Sequence, residues 1–199
     1  MSLPNLLGWL AVVLGTISTH AQYRRMSSAG TVGVSLATWV LFSLLSVFWT
    51  SYGLSVHAWV LAVGCVFVMP SQLLILSRLR PWHRWKVSAR AVVLLLVICV
   101  IPGIVWGWNG AVFGAGAAAS LTRAPQLIGL IKAHEAPGVS VGSWTLGVVG
   151  SSLWVAYYAG GHLWSAMVVT GIAGCVSVAI AVLSWWRHVE VNIPEPAFD

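Results

Sequence analysis

The 199-residue chain is 59% hydrophobic and 7% charged, with a formal net charge of +6. Water-soluble domains carry charge at roughly a quarter of their positions, so an ordinary soluble fold is excluded and most of the apolar surface must face lipid. The basic residues sit at the ends of apolar segments rather than in one patch, which argues against nucleic acid as a partner.

Stretches of roughly 20 apolar residues suffice to cross a hydrocarbon core about 30 Å thick. Seven follow in chain order, at residues 5–22, 32–52, 57–77, 88–106, 110–131, 140–158 and 163–186. Runs such as residues 91–101 are continuously apolar rather than alternating, which predicts helices in preference to barrel strands. Arg24 and Arg25 follow the first span, and Arg78, Arg80, Arg84 and Lys86 lie between the third and fourth. Lys132 ends the fifth and Arg187 the seventh, whereas the opposite loops near 53–56, 107–110 and 159–161 carry no Lys or Arg. An excess of Lys and Arg marks the cytoplasmic side, which predicts an outer N-terminus and a cytoplasmic C-terminus, most simply in the plasma membrane. The first span has no basic leader region and no small-residue cleavage site, so it reads as a span rather than a removable signal. Trp82, Trp85, Trp185 and Trp186 at one boundary and Trp106 and Trp108 at the other read as interface anchors. Cys65, Cys99 and Cys175 show neither disulfide nor metal spacing, and no metal or cofactor is predicted. Residues 189–199, with Pro194 and Pro196, read as a disordered tail.

An internal repeat organises these spans. At a shift of 105, Gly33, Val34 and Ser35 fall on Gly138, Val139 and Ser140. Trp39 then meets Trp144, Leu41 meets Leu146, Ser46 meets Ser151, Trp49 meets Trp154 and Tyr52 meets Tyr157. His57 and Trp59 land on His162 and Trp164. The fourth span has no counterpart, and one extra helix between two three-helix units restores the same orientation to both. The predicted fold is therefore an all-α membrane protein of seven transmembrane helices, a 3+1+3 parallel duplication of a three-helix bundle. Its parts are residues 1–79, a basic loop and linker helix at 80–108, a second unit at 109–188 and the tail at 189–199. Repeats of this kind are a signature of transporters that bind solute between two halves.

Two features inside the spans could carry chemistry. Pro125-Gln126 near the end of the fifth span combines a helix breaker, which frees the carbonyl of Leu121, with a side chain that both donates and accepts. A flexing, polar-lined hinge and a static kink are both consistent with it. Arg123 lies about 13 Å inside the span from Lys132 at 1.5 Å per residue. The four acidic residues, Glu135, Glu190, Glu195 and Asp199, all lie outside the spans. Arg123 must therefore meet water, a free carbonyl such as that of Leu121, or an anionic substrate. One reading has it snorkelling to a cytoplasmic vestibule; the other has it holding a substrate carboxylate. A proton role for His20, beside Ala21-Gln22, is the remoter reading, and without a carboxylate in any span downhill movement is the simpler expectation. His57 and His162 read as capping or headgroup contacts.

Pro125-Gln126 in a duplicated three-helix unit resembles the PQ-loop superfamily, and Trp49-Thr50-Ser51-Tyr52-Gly53 is similar to the Trp-x-x-Tyr-Gly of its SWEET sugar facilitators. Trp154-Val155-Ala156-Tyr157 echoes it in the sixth span. The resemblance implies that Trp49 and Trp154 flank a small solute, with Ser46, Ser151, Gly64, Cys65, Thr170 and Gly171 around it. It also implies a gate or hinge built from Gln22, Pro125, Gln126, Arg123, Tyr52 and Tyr157, and homotrimers suit it. The chain departs from the family at Ala21-Gln22, where the first half lacks the proline, and at Met69-Pro70-Ser71-Gln72, a loose Pro-x-Gln with no family role. The Asn pair expected in a sugar pocket is absent from Val63-Gly64-Cys65 and Thr170-Gly171-Ile172.

A retinal protein would need a Lys in the last span, and a membrane enzyme would need clustered carboxylates or histidines; neither is present. The expected function is facilitative uniport of a small solute, sugar or sugar-like by resemblance, by alternating access between the halves. An amino-acid or organic-anion transporter using Arg123, or a non-transporting cargo receptor, is the alternative.

Overall fold

The computed structural model describes residues 2–32, 34–80, 85–132 and 139–191. Among these residues there are seven helices and no strand: α1 (Leu3–Ala29), α2 (Leu36–Ser55), α3 (Trp59–Leu79), α4 (Trp85–Leu121), α5 (Ala124–Lys132), α6 (Val141–Gly160) and α7 (Trp164–Val191). Four stretches are long and apolar enough to cross a membrane: α2, α3, residues Trp85–Lys132 and Trp164–Arg187. Large apolar side chains such as Ile104, Trp106, Phe67 and Val105 are exposed, as expected of a membrane protein, whose outer surface meets lipid rather than water. The other full-length helices, α1 and α6, are more polar because they carry Ser18, Thr19, Gln22 and Ser143, Ser151 on inward faces.

Three sequence expectations need correction. The first helix continues past residue 22 to Ala29, because nothing in 23–29 breaks a helix before Gly30. The helix α7 reaches Val191, so irregular chain does not begin at Val189; residues 192–199 lie outside the described residues, as do Gly33, Gly138, Trp82 and Arg84. The fifth predicted span is not one helix but two pieces, the second leg of α4 and the short α5, separated by a turn at Thr122-Arg123. Pro125 supplies the reason, since it has no N–H to continue the ladder and falls in the first turn of α5, where that loss costs least. In α1 the corresponding residue is Ala21, and that helix runs through unbroken.

The helix α4 is a hairpin. Its direction changes at Trp106 (φ −124°, ψ 15°) and Gly107 (φ 62°, ψ −148°), and a positive φ is readily adopted by glycine. The two legs then pack so closely that a Cβ at Gly110 would lie 2.0 Å from the Pro102 carbonyl oxygen, and one at Gly114 would lie 2.0 Å from that of Ile98. Small residues allow such backbone contact between helices in lipid.

The remaining helices close into a ring. Helix α1 packs on α3, α3 on α2, α2 on the α4–α5 stretch, that stretch on α7, α7 on α6, and α6 back on α1. Helix α3 lies between α1 and α2, and α7 lies between the α4–α5 stretch and α6, which leaves two further seams in the ring, α1 with α6 and α2 with the α4–α5 stretch. The first leg of α4 lies outside the ring, where Leu95 and Cys99 pack with Leu41 and Leu45 of α2 and Ala115 and Ala118 of the second leg.

Candidate functional site: a central cavity with Arg123 at its waist

Both seams are stitched by corresponding groups. Ser35 caps α2 by accepting from the Thr38 amide at 3.3 Å, and Ser140 caps α6 by accepting from the Ser143 amide at 3.0 Å. The amide of Ser35 donates to Gln126 Oε1 at 3.1 Å, and that of Ser140 donates to Gln22 Oε1 at 3.0 Å. Gln22 and Gln126 are each 2% exposed, so each glutamine satisfies a helix-entry amide across its seam. One turn deeper, the Thr38 hydroxyl donates to the Thr122 carbonyl at 2.6 Å. The Ser143 hydroxyl donates to the Ser18 carbonyl at 2.6 Å, and Ser18 returns the bond to the Ser143 carbonyl at 2.6 Å. The second seam thus has a reciprocal pair. In the first, the Thr122 hydroxyl turns back to Ala119 at 2.8 Å, within its own broken helix.

Between the seams lie two adjoining cavities, of about 200 and 270 Å³. They share Ala11, Gly15, Val68, Arg123, Ser151 and Trp154. The first is lined by Ser46, Trp49, Gly64, Cys65 and Thr170 in addition, and the second by Ser18, Phe42, Gln72, Trp144 and Ser177. Of the eight residues named from sequence as solute contacts, Gly171 alone is absent from both linings. It faces α6, where an added Cβ would meet Val155 at 4.0 Å; Thr170 and Ala173 are the residues that α7 turns inward at this level. Gly150 has open space beyond it, a Cβ at Gly147 would meet only Ser18 Oγ at 3.9 Å, and both glycines line the second cavity.

Aromatic rings bound the cavities on either side. Trp49 and Tyr52 meet edge to face at 5.7 Å and 80°, and Trp154 and Tyr157 at 5.4 Å and 82°. Tyr52 and Tyr157 are buried in the apolar cluster beyond the tryptophans, with Val60, Leu61, Val112 and Val169. Tyr158 was missed from sequence. Its ring stacks on Trp154 at 5.6 Å and on Trp49 at 6.4 Å, so the two indoles are bridged by a phenol rather than facing each other across open space. No repeat signal marks it, because the corresponding residue is Gly53. A Cβ there would lie 2.8 Å from the Ala62 amide nitrogen, so the first unit cannot carry a side chain where the second carries tyrosine. At the opposite side Phe42 lies 5.4 Å from Trp39 and 6.4 Å from Trp144.

Arg123 occupies the turn between α4 and α5. Its Nε donates to Ser177 Oγ on α7 at 2.8 Å, one terminal nitrogen donates to the Ala119 carbonyl, and the guanidinium lies 5.1 Å over the Phe42 ring. The carbonyl it finds is therefore Ala119 rather than Leu121, because an arginine at the turn folds back along the preceding helix. It faces both cavities. Gln72, the unassigned glutamine of the Pro-x-Gln stretch, lines the second cavity and accepts from the Ser46 hydroxyl at 3.0 Å. No group of three or more metal-ligating side chains occurs among the described residues.

Comparison with protein-family models, curated proteins and solved structures finds no match to this chain.

Proposed function

We propose that the chain is a facilitative membrane transporter in which seven crossing helices form two parallel three-helix units joined by the first leg of α4. One observation carries this reading: a cavity lined by corresponding residues of both units, Ser46 with Ser151 and Trp49 with Trp154. Transporters built from repeats hold solute at that interface. The units are joined by paired small contacts at the Gln22 and Gln126 end and by apolar rings at the other, an arrangement suited to opening one end at a time. The resemblance to PQ-loop proteins is supported by the matching roles of Gln22 and Gln126 and by the helix break at Pro125.

Arg24, Arg25, Arg78, Lys132 and Arg187 lie at the ends of helices at the glutamine end of the ring, which favours that end as cytoplasmic, with an outer N-terminus. No carboxylate is among the described residues that line either cavity, which favours uniport over proton coupling. Each cavity, at about 200 and 270 Å³, is smaller than the roughly 300–1,000 Å³ typical of sites for drug-sized ligands, which favours a small solute. A sugar or sugar-like molecule follows from the resemblance, whereas Arg123 favours a second reading, an organic anion or amino acid. Counterflow of labelled solutes into liposomes holding the purified protein tests the proposal: flux above that of protein-free liposomes is expected for at least one class. Binding without flux for every class would instead make the chain a receptor.

A further inference from the structure

Resting on the cavity as a solute site, we infer that the substrate is a small monocarboxylate held by Arg123 and Gln72, with its apolar body against Trp154 and Trp49. The hydrogen-bond inventory of the cavity is lopsided. Its hydroxyls donate to backbone carbonyls: Ser46 to Phe42, Ser151 to Gly147, Thr19 to Gly15 and Ser177 to Ala173. A guanidinium carries five N–H groups, and two of those of Arg123 find protein acceptors. The one hydroxyl hydrogen of Ser46 is shared between the Phe42 carbonyl and Gln72 Oε1, and the amide nitrogen of Gln72 is a further donor. The N–H donors that Arg123 and Gln72 carry beyond these bonds belong to side chains that both line the second cavity. A ligand that fits must bring acceptors. A sugar hydroxyl brings a donor with every acceptor, whereas a carboxylate brings acceptors alone.

Charge points the same way. Arg123 meets no carboxylate among the residues lining the cavities, so the empty site holds one positive charge within the bundle. A monoanion makes the loaded site neutral, whereas a dianion leaves it charged again. Planar, two-pronged donation to a carboxylate is the geometry at which arginine exceeds lysine. Trp154 and Ser151 border both cavities, so a carboxylate on Arg123 places the rest of a short acid against the Trp154 indole.

The test compares lactate, propionate and benzoate with lactamide, propionamide, benzamide and glucose, on the full chain in lipid nanodiscs and in liposomes. Each acid is expected to raise the melting temperature at concentrations where its amide does not, and an inside-positive potential is expected to raise lactate uptake. Arg123→Gln loses at least tenfold in acid affinity while Arg123→Lys, which keeps the charge without the fork, retains part of it; both are scored on monodisperse protein. Gln72→Leu weakens acids severalfold. Equal stabilisation by acids and amides in the unaltered protein, or glucose flux with no preference for acids, overturns the carboxylate assignment and leaves transport standing. Acid binding with no flux of any solute overturns transport and leaves the assignment standing.

Discussion

The hydroxyl of Thr38 is the most direct measure of how the two units hold together. Thr38 is 0% exposed and donates at 2.6 Å to the carbonyl of Thr122, itself 0% exposed and placed at the turn before α5. Thr38→Val keeps the shape and removes the donor, so the Thr122 carbonyl is left buried without this bond. Leaving a buried acceptor unpaired costs about 1–3 kcal/mol. At roughly 2–4 °C per kcal/mol for a chain of this size, a central value of about 2 kcal/mol lowers the melting temperature by about 4–8 °C. Thr38→Ser, which keeps the hydroxyl, should stay within about 2 °C of the unaltered protein. Ser143→Ala at the other seam removes a donor from the Ser18 carbonyl, and the reciprocal Ser18 hydroxyl still bonds across, so its loss should be smaller than that of Thr38→Val. The measurement is thermal unfolding of purified protein in one detergent. A Thr38→Val protein as stable as Thr38→Ser would refute the view that this bond ties the seam.

Other outcomes follow from the same geometry. Trp154→Ala should abolish flux while the protein remains monodisperse, and Trp154→Phe should keep part of it; undiminished flux in the Ala variant removes Trp154 from the solute path. Gly116→Ala puts a Cβ 2.0 Å from that of Val169, which is β-branched and cannot swing away. Such overpacking costs about 1–3 kcal/mol, visible as a lower melting temperature, and a variant of unchanged stability would contradict the close α4–α7 contact. Pro125→Ala restores an N–H and lets the helix continue; flux is expected to fall severalfold with stability kept or raised, and equal flux would make the break a passive kink.

Much of the helical layout was readable because breakers and charges sit at helix ends, and the repeat was readable because Ser35, Trp39, Trp49 and Tyr52 recur with their spacing intact. Their structural roles recur too, as helix caps and as tryptophan–tyrosine edges. Gln22 and Gln126 were singled out by resemblance alone, since nothing in a buried Gln announces which amide it will meet. What escaped the sequence was whatever breaks the repeat. Tyr158 has no twin, Gln72 has none that marked it, and Ser177 became relevant only when the turn at Thr122-Arg123 aimed a guanidinium at α7. The break itself was half legible: Pro125 announced a weak point, but whether the helix bends or ends depends on its neighbours.

The pairing of Gly53 with Tyr158 has a wider meaning on the reading of two fused copies. An assembly of two identical chains must place every residue near its dyad twice, so a single bulky group can never fill the middle. A fused duplicate is released from that rule. Here one copy keeps glycine, where its own helices touch, and the other fills the midline with a phenol that serves both indoles. The pathway past those rings is thereby lopsided, and a molecule crossing it meets a left and a right that differ.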